Sequence, residues 1–157
     1  MGHTEDALRQ ITNNFYIISA EILSDDGSSS ILEKFTSLVY PGTLPGGTMG
    51  YNDHGIIYSM NSIFPKNTFP KRTPHLFLTR SALAARNMNE ILETLRDNGC
   101  GTANGFSMNF MVIDDKVLGA SERAFNVEVS PSQNEKTESE ISVAEILAEE
   151  CYSHCNS

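Results

Sequence analysis

The sequence predicts an α+β fold, and three features carry that prediction. Runs rich in β-branched and aromatic residues recur at 15–23, 33–40 and 55–62. Helix formers at amphipathic spacing follow, between residues 75 and 96. Strand-like runs then return at 106–113 and 124–129. Strands, then helices, then strands again is the order expected of helices packed against an antiparallel sheet. A length of 157 residues suits one domain, 1–157, with room for a hydrophobic core.

Each element has a local reason. Residues 15–23 read FYIISAEIL, a buried strand, and 24–30 read SDDGSSS, a turn that returns the chain into a second strand at 33–40. Residues 41–50 carry four glycines and two prolines, too many breakers for a regular element. The third strand at 55–62 leads into a proline-punctuated loop at 64–74. In the first helix, 75–86, Leu76, Thr79, Leu83 and Arg86 recur about one turn apart. In the second, 87–96, Asn89 is the expected cap and Ile91, Leu92 and Leu95 the apolar stripe. The glycines at 99 and 101 end it. A turn near Asp114 and Asp115 joins the last two strands, 131–140 is polar and expected to be mobile, and 141–150 reads as a helix on propensity.

Composition narrows the functional classes. Apolar residues at 39% and charged residues at 20% mark a globular chain rather than a disordered one. The net charge of −9 opposes phosphate backbones and anionic membranes, so nucleic acid and membrane surfaces are set aside as partners. A neutral or cationic small molecule is easier to accommodate. Three cysteines, Cys100, Cys151 and Cys155, are too few and too clustered for a disulfide framework, which points to a reducing, cytoplasmic setting. Residues 1–10 show no signal-peptide pattern, and no apolar run is long enough to span a bilayer.

Few residues declare chemistry on their own. The Gly-rich loop lacks the Gly-Lys-Ser/Thr of a phosphate-binding loop and reads as a tight turn. His3, His54, His75 and His154 show no metal-ligand spacing, and no metal or other cofactor is expected. Cys100 follows Gly99, a bond whose autoproteolysis would free a cysteine with its own amine as base. The plainer reading, a small residue in a helix-ending turn, is preferred. His154 and Cys155 are sequence neighbours, and side chains of neighbours on an extended chain point apart, which disfavours a dyad. Asp6, Asn61 and Asn156 are anonymous individually, although a buried Asn amide can donate to a developing oxyanion.

Taken together, these pieces carry a resemblance. Gly2-His3-Thr4-Glu5-Asp6 is followed by paired strands, by Gly47-Thr48-Met49-Gly50-Tyr51-Asn52-Asp53-His54-Gly55, by Tyr58-Ser59-Met60-Asn61, by two helices and by His154-Cys155-Asn156. This order resembles the acyl-coenzyme A:6-aminopenicillanate acyltransferase family over nearly the whole chain. The resemblance implies an αββα sandwich of the N-terminal-nucleophile hydrolase type. It implies a precursor that cleaves itself before a cysteine, whose thiol then attacks an amide while its α-amine serves as base. By position, Asp6 matches the acid that holds the nucleophile, Asn61 an oxyanion or substrate-carbonyl donor, and Asn156 a second oxyanion donor. Thr4 and Glu5 stand where the family often has Asn and an aromatic residue.

The implied activity is amide hydrolysis of N-β-alanyl biogenic amines, such as dopamine and histamine conjugates. The alternatives are a non-catalytic binding domain and a thioester-dependent acyltransferase. The family's cysteine precedes the Gly-x-x-x-Asp motif, and here only Met1 does. The chain is therefore expected to be a partial sandwich truncated at both ends and inactive alone. Its partners would be a small-molecule amide and the missing N-terminal segment of the same precursor.

Overall fold

The computed structural model describes residues 1–4, 9–64, 66–114, 121–133 and 137–154. Its centre is a seven-stranded antiparallel sheet whose spatial order follows the chain. The strands are β1 (Tyr16–Leu23), β2 (Ile31–Val39), β3 (Met49–Asn52), β4 (Ile56–Ile63), β5 (Gly105–Asp114), β6 (Ser121–Pro131) and β7 (Ser139–Ile146). Two helices, α1 (His75–Ala82) and α2 (Met88–Arg96), lie between β4 and β5 in sequence. The chain is thus α+β, as expected. Among the described residues there is one sheet and no second layer of strands. No described helix is long and apolar enough to cross a membrane.

Alternation builds the core. Phe35, Ile56, Tyr58, Met60, Phe106, Met108, Phe110, Phe125, Val127 and Val129 project from the sheet to one face. Leu78, Ala82 and Leu83 of the α1 region and Ile91 and Leu95 of α2 close over them. Tyr58 is fully buried, and its hydroxyl donates to the carbonyls of Thr79 (2.8 Å) and Gly46 (3.2 Å), so a polar tip inside the core is satisfied. Burial holds that phenol far above its usual range, so it stays a neutral donor. Gly46 must be glycine there: its φ is +92°, and a Cβ would come within 2.5 Å of the Tyr58 hydroxyl.

The motif around Asn52 has a structural task. Asn52 is buried at the end of β3. Its Nδ2 donates to the Leu83 (3.0 Å) and Ala85 (2.7 Å) carbonyls, and its Oδ1 accepts from the His54 (3.0 Å) and Ile56 (3.2 Å) amides. One side chain therefore closes the β3–β4 turn and ties it to the frayed end of α1. Gly55, at φ +76°, completes the turn where any Cβ would collide with the Ile113 carbonyl oxygen.

Several expectations need correction. Residues 141–150 do not form a helix. Ile141 and Val143 join β7, which pairs along β6 from Ser139 opposite Pro131 to Ile146 opposite Ala124. An unfilled sheet edge outweighs weak helix propensity in so short a segment. The 41–50 segment is not free of regular structure, because Met49 and Gly50 open β3. Gly50 serves close packing rather than turning: its Cβ would lie 2.9 Å from Leu83 and 3.0 Å from the Thr36 carbonyl.

The polar stretch 131–140 is shorter than expected, since Pro131 belongs to β6, Ser139 and Glu140 to β7, and Ser132 and Ser139 are buried. α1 ends at Ala82, which leaves Arg86 outside it and paired with Glu90. The α2 cap is Asn87, not Asn89: Asn87 accepts from the Glu90 amide at 3.0 Å, satisfying an orphan donor of the first turn. The remaining elements lie within a few residues of their expected bounds, but β1, read as a buried strand, is mostly exposed at the sheet edge, with Ile17 71% exposed. The α2 stripe is as read, with Ile91 and Leu95 fully buried. Asp115 falls outside the described residues.

Candidate active site

The face of the sheet opposite the helices is the candidate site. Its residues follow from register. One row runs across the strands from Ile17 through Leu38, Met49, Ser59, Asn109 and Asn126 to Ala144. The next runs through Thr36, Tyr51, Ile57, Met111 and Ala124 to Ile146. A third passes through Asn61, Ser107, Glu128 and Ser142. The β1–β4 half of this face is mainly apolar, and the β4–β7 half carries amides, hydroxyls and carboxylates.

The polar half is organised by Asn126, which is 2% exposed. Its Nδ2 donates to Ser107 Oγ (2.8 Å) and Asn109 Oδ1 (2.9 Å), and its Oδ1 accepts from the Tyr152 hydroxyl (3.0 Å). Both amide protons are used, so the orientation of the group is fixed. Burial, and then the Glu128 carboxylate, raise the Tyr152 phenol above its ordinary pKa, which keeps it a donor. Spending the Asn109 oxygen on Asn126 leaves the Asn109 Nδ2 as a donor without a partner among the described residues. Asn61, half-buried on β4, meets no hydrogen-bond partner among the described residues. Asn61 and Asn109 are diagonal neighbours across the β4–β5 pair, about 7–8 Å apart in such geometry.

A cavity of about 610 Å³ opens on these groups. Asn61, Asn109, Met111 and Ala124 line its floor, and Glu150, Tyr152 and His154 line it from the segment that follows β7. His154 Nε2 lies 2.9 Å from Glu128 Oε1. The carboxylate accepts, so Nε2 carries the proton in the neutral ring and Nδ1 is left as an acceptor. That Nδ1 is buried without a partner among the described residues. A second cavity, of about 410 Å³, lies over the apolar half against Ile17, Leu38, Met49, Tyr51 and Ile57. Met1, Gly2 and His3 line both cavities, with the Met1 sulfur 3.9 Å from Ser59 Oγ, so the N-terminal segment crosses the face at β4.

Of the three residues singled out in the sequence, Asn61 is on the wall of the polar cavity, and Asp6 and Asn156 lie outside the described residues. Cys100 sits in the turn after α2, where its amide bonds the Asp97 carbonyl at 3.1 Å, and it does not line either cavity. Cys151 is exposed, and Cys155 is outside the described residues. No cluster of metal-ligating side chains occurs among the described residues. Sequence reading passed over Ser107, Asn109 and Asn126. The signal was present in FSMNFM, where polar residues alternate with Phe106, Met108 and Phe110 at the strand period, and in the lone polar Asn126 between Phe125 and Val127.

The chain belongs to the acyl-coenzyme A:6-aminopenicillanic acid acyltransferase family, whose match extends over residues 1–157. Among characterised proteins it is similar to the beta-alanyl-dopamine/carcinine hydrolase of Drosophila melanogaster, with 38% identity over 159 residues covering 99% of this chain. The chain spans 40% of that relative's length.

Proposed function

We propose that this chain forms the substrate-binding half of an amide hydrolase of the N-terminal-cysteine type, acting on β-alanyl conjugates of biogenic amines. The observation that carries the proposal is the uncommitted Asn61 amide on the cavity wall, beside a buried network that fixes Asn109 and Tyr152. Preorganised amide donors suit the oxyanion formed when an amide carbonyl is attacked. Family membership and the hydrolase relative agree with that chemistry.

By the family resemblance the nucleophile is assigned to a part of the precursor outside these 157 residues; Cys100 and Cys151 line neither cavity. Its thiol attacks the amide carbon and passes its proton to the neighbouring α-amine, whose pKa of about 7.7–8.0 suits a base at neutral pH. The oxyanion is held by Asn61, with Asn156 as second donor and Asp6 positioning the nucleophile, as the family resemblance implies. On collapse the C–N bond breaks, the α-ammonium returns its proton to the leaving amine, and a thioester remains. Water then attacks the thioester, releasing β-alanine and the thiol. In this reading the helix-covered sheet is one half of an αββα sandwich, and precursor residues beyond this chain complete the other.

The test incubates N-β-alanyl-dopamine with three proteins: this chain, a precursor extended upstream through a Gly-Cys, and that precursor carrying Cys→Ala. Self-cleavage and free dopamine are expected from the intact precursor alone. Turnover by the present chain, lost on Cys100→Ala, would show that the nucleophile has been misplaced.

A further inference from the structure

The sheet ends in two edge strands of opposite character. β7 carries Glu140 and Glu145 and no basic residue, and Glu149 and Glu150 follow it, so that edge repels a second copy of itself. β1 reads YIISAEIL, without proline, glycine or lysine. Its one charge, Glu21, is held by Lys34 of β2 at 2.6 Å, and its one irregularity is at Ile22/Leu23, where the hairpin begins to turn. Among the described residues β1 pairs with β2 alone, so its outer row of amides and carbonyls meets no strand. The helices do not reach it either. On the helix side Tyr16 is 46% and Ile22 39% exposed, whereas Phe35 on β2 is 3% exposed. A second sheet packed on the open face, as the hydrolase reading requires, covers side chains and supplies none of the in-plane hydrogen bonds that an outermost strand lacks.

We infer that β1 is a self-association edge: it pairs antiparallel with β1 of a second copy about a two-fold axis, joining the two sheets into one. Chemistry selects the register. Opposed side chains share a face, so in a two-fold pair each residue meets one of its own parity. Setting Glu21 opposite its own copy brings two carboxylates together, and setting it opposite Ile17 presses a carboxylate on an aliphatic chain. An axis through Ala20 avoids both. Ile18 then faces the partner's Ile22 on the helix side, Ile17 faces the partner's Leu23 on the other, and Ser19 faces the partner's Glu21. The apolar side chains that β1 leaves exposed are thereby set against one another, and the small Ala20 at the axis lets the strands approach. Such a contact uses the same patch on both copies and closes at two, whereas β1 pairing with β7 would extend without end.

Light scattering after size exclusion reads the outcome. One strand pair is a small interface, so the mass is followed up to roughly 100 μM. This chain is expected to reach twice its 17.3 kDa and to stop there. Ile22→Lys, at an exposed position, is expected to raise the concentration of half-association about tenfold while the unfolding midpoint holds. Charge at Ser19 reads the register: Ser19→Lys, facing the partner's Glu21, should tighten the pair about three- to tenfold, and Ser19→Glu should loosen it by as much. The self-processed, cysteine-bearing precursor should pair in the same way. A monomer at every concentration, masses that grow past two copies, or the opposite order of the Ser19 variants would overturn the inference. So would a monomeric precursor, which would mean that a strand of the precursor itself fills this edge. Failure of the hydrolase reading is separate: a precursor that pairs yet releases no amine sinks that reading and leaves this one standing.

Discussion

Tyr58 and Ser59 are neighbours in β4, yet they belong to different worlds. Tyr58 points into the helix-covered core, fully buried with its hydroxyl spent on two backbone carbonyls. Ser59 points to the open face and lines the apolar cavity. The same division separates Phe110 from Asn109 and Val127 from Asn126 along β5 and β6. The covered face is apolar, closed and satisfied. The open face holds amides and carboxylates, some of them uncommitted. In the proposed reading, stability and chemistry are therefore interleaved residue by residue along each strand. The period of two in a strand assigns a residue to one role or the other.

If that division is real, substitutions on the two faces fail differently. The largest effect belongs to the covered face. Phe106→Ala, at a fully buried position, is expected to cost about 3–5 kcal/mol in a denaturant titration. Where the protein stays folded, turnover by the cysteine-bearing precursor should be unchanged. Asn126→Ala on the open face comes next, at about 1–3 kcal/mol, because Ser107, Asn109 and Tyr152 lose their partner. Unlike Phe106→Ala, it should also lower dopamine release by the cysteine-bearing precursor, since Asn109 and Tyr152 are no longer held. An Asn126→Ala precursor with full turnover would erase the distinction between the faces.

The smallest effect is a pH slope from His75 at the start of α1. Burial lowers its pKa below the ordinary histidine value of 6.5, against a raising effect from Asn104, whose amide lies 2.8 Å from Nδ1. The unfolded chain then takes up a proton near 6.5 that the folded chain resists. Stability is therefore full above 6.5 and falls as pH drops from there toward the folded value. His75→Gln should flatten the stability curve in that window, measured by unfolding midpoints. Parallel curves for the two proteins would remove His75 from the account.

Much of the fold was legible, for reasons that differ by element. Strands β1, β2, β4, β5 and β6 and both helices announced themselves through β-branched runs and amphipathic spacing. β7 was not legible because its residues suit a helix and only the free edge of β6 makes them a strand. β3 was hidden by Gly50, which is there for contact with Leu83 rather than for a turn. The cap went to Asn87 over Asn89 because both fit the local rule and only the chain's approach to α2 decides. Of the site, Asn61 was reachable through family resemblance. Asn109 and Asn126 were not reached, because their significance depends on pairing across β5 and β6 and on Tyr152 arriving from residues beyond β7.

The central claim is that the open face, and Asn61 on it, does the chemistry. The direct measurement is dopamine release by the self-processed, cysteine-bearing precursor carrying Asn61→Ala, with its unfolding midpoint recorded alongside. The account predicts that kcat falls about 100- to 1,000-fold, as for the loss of one oxyanion donor. The same substitution should change stability by less than about 1 kcal/mol, since no core contact or hydrogen bond among the described residues is lost. Undiminished turnover, or a loss of turnover matched by a loss of folded protein, would contradict it.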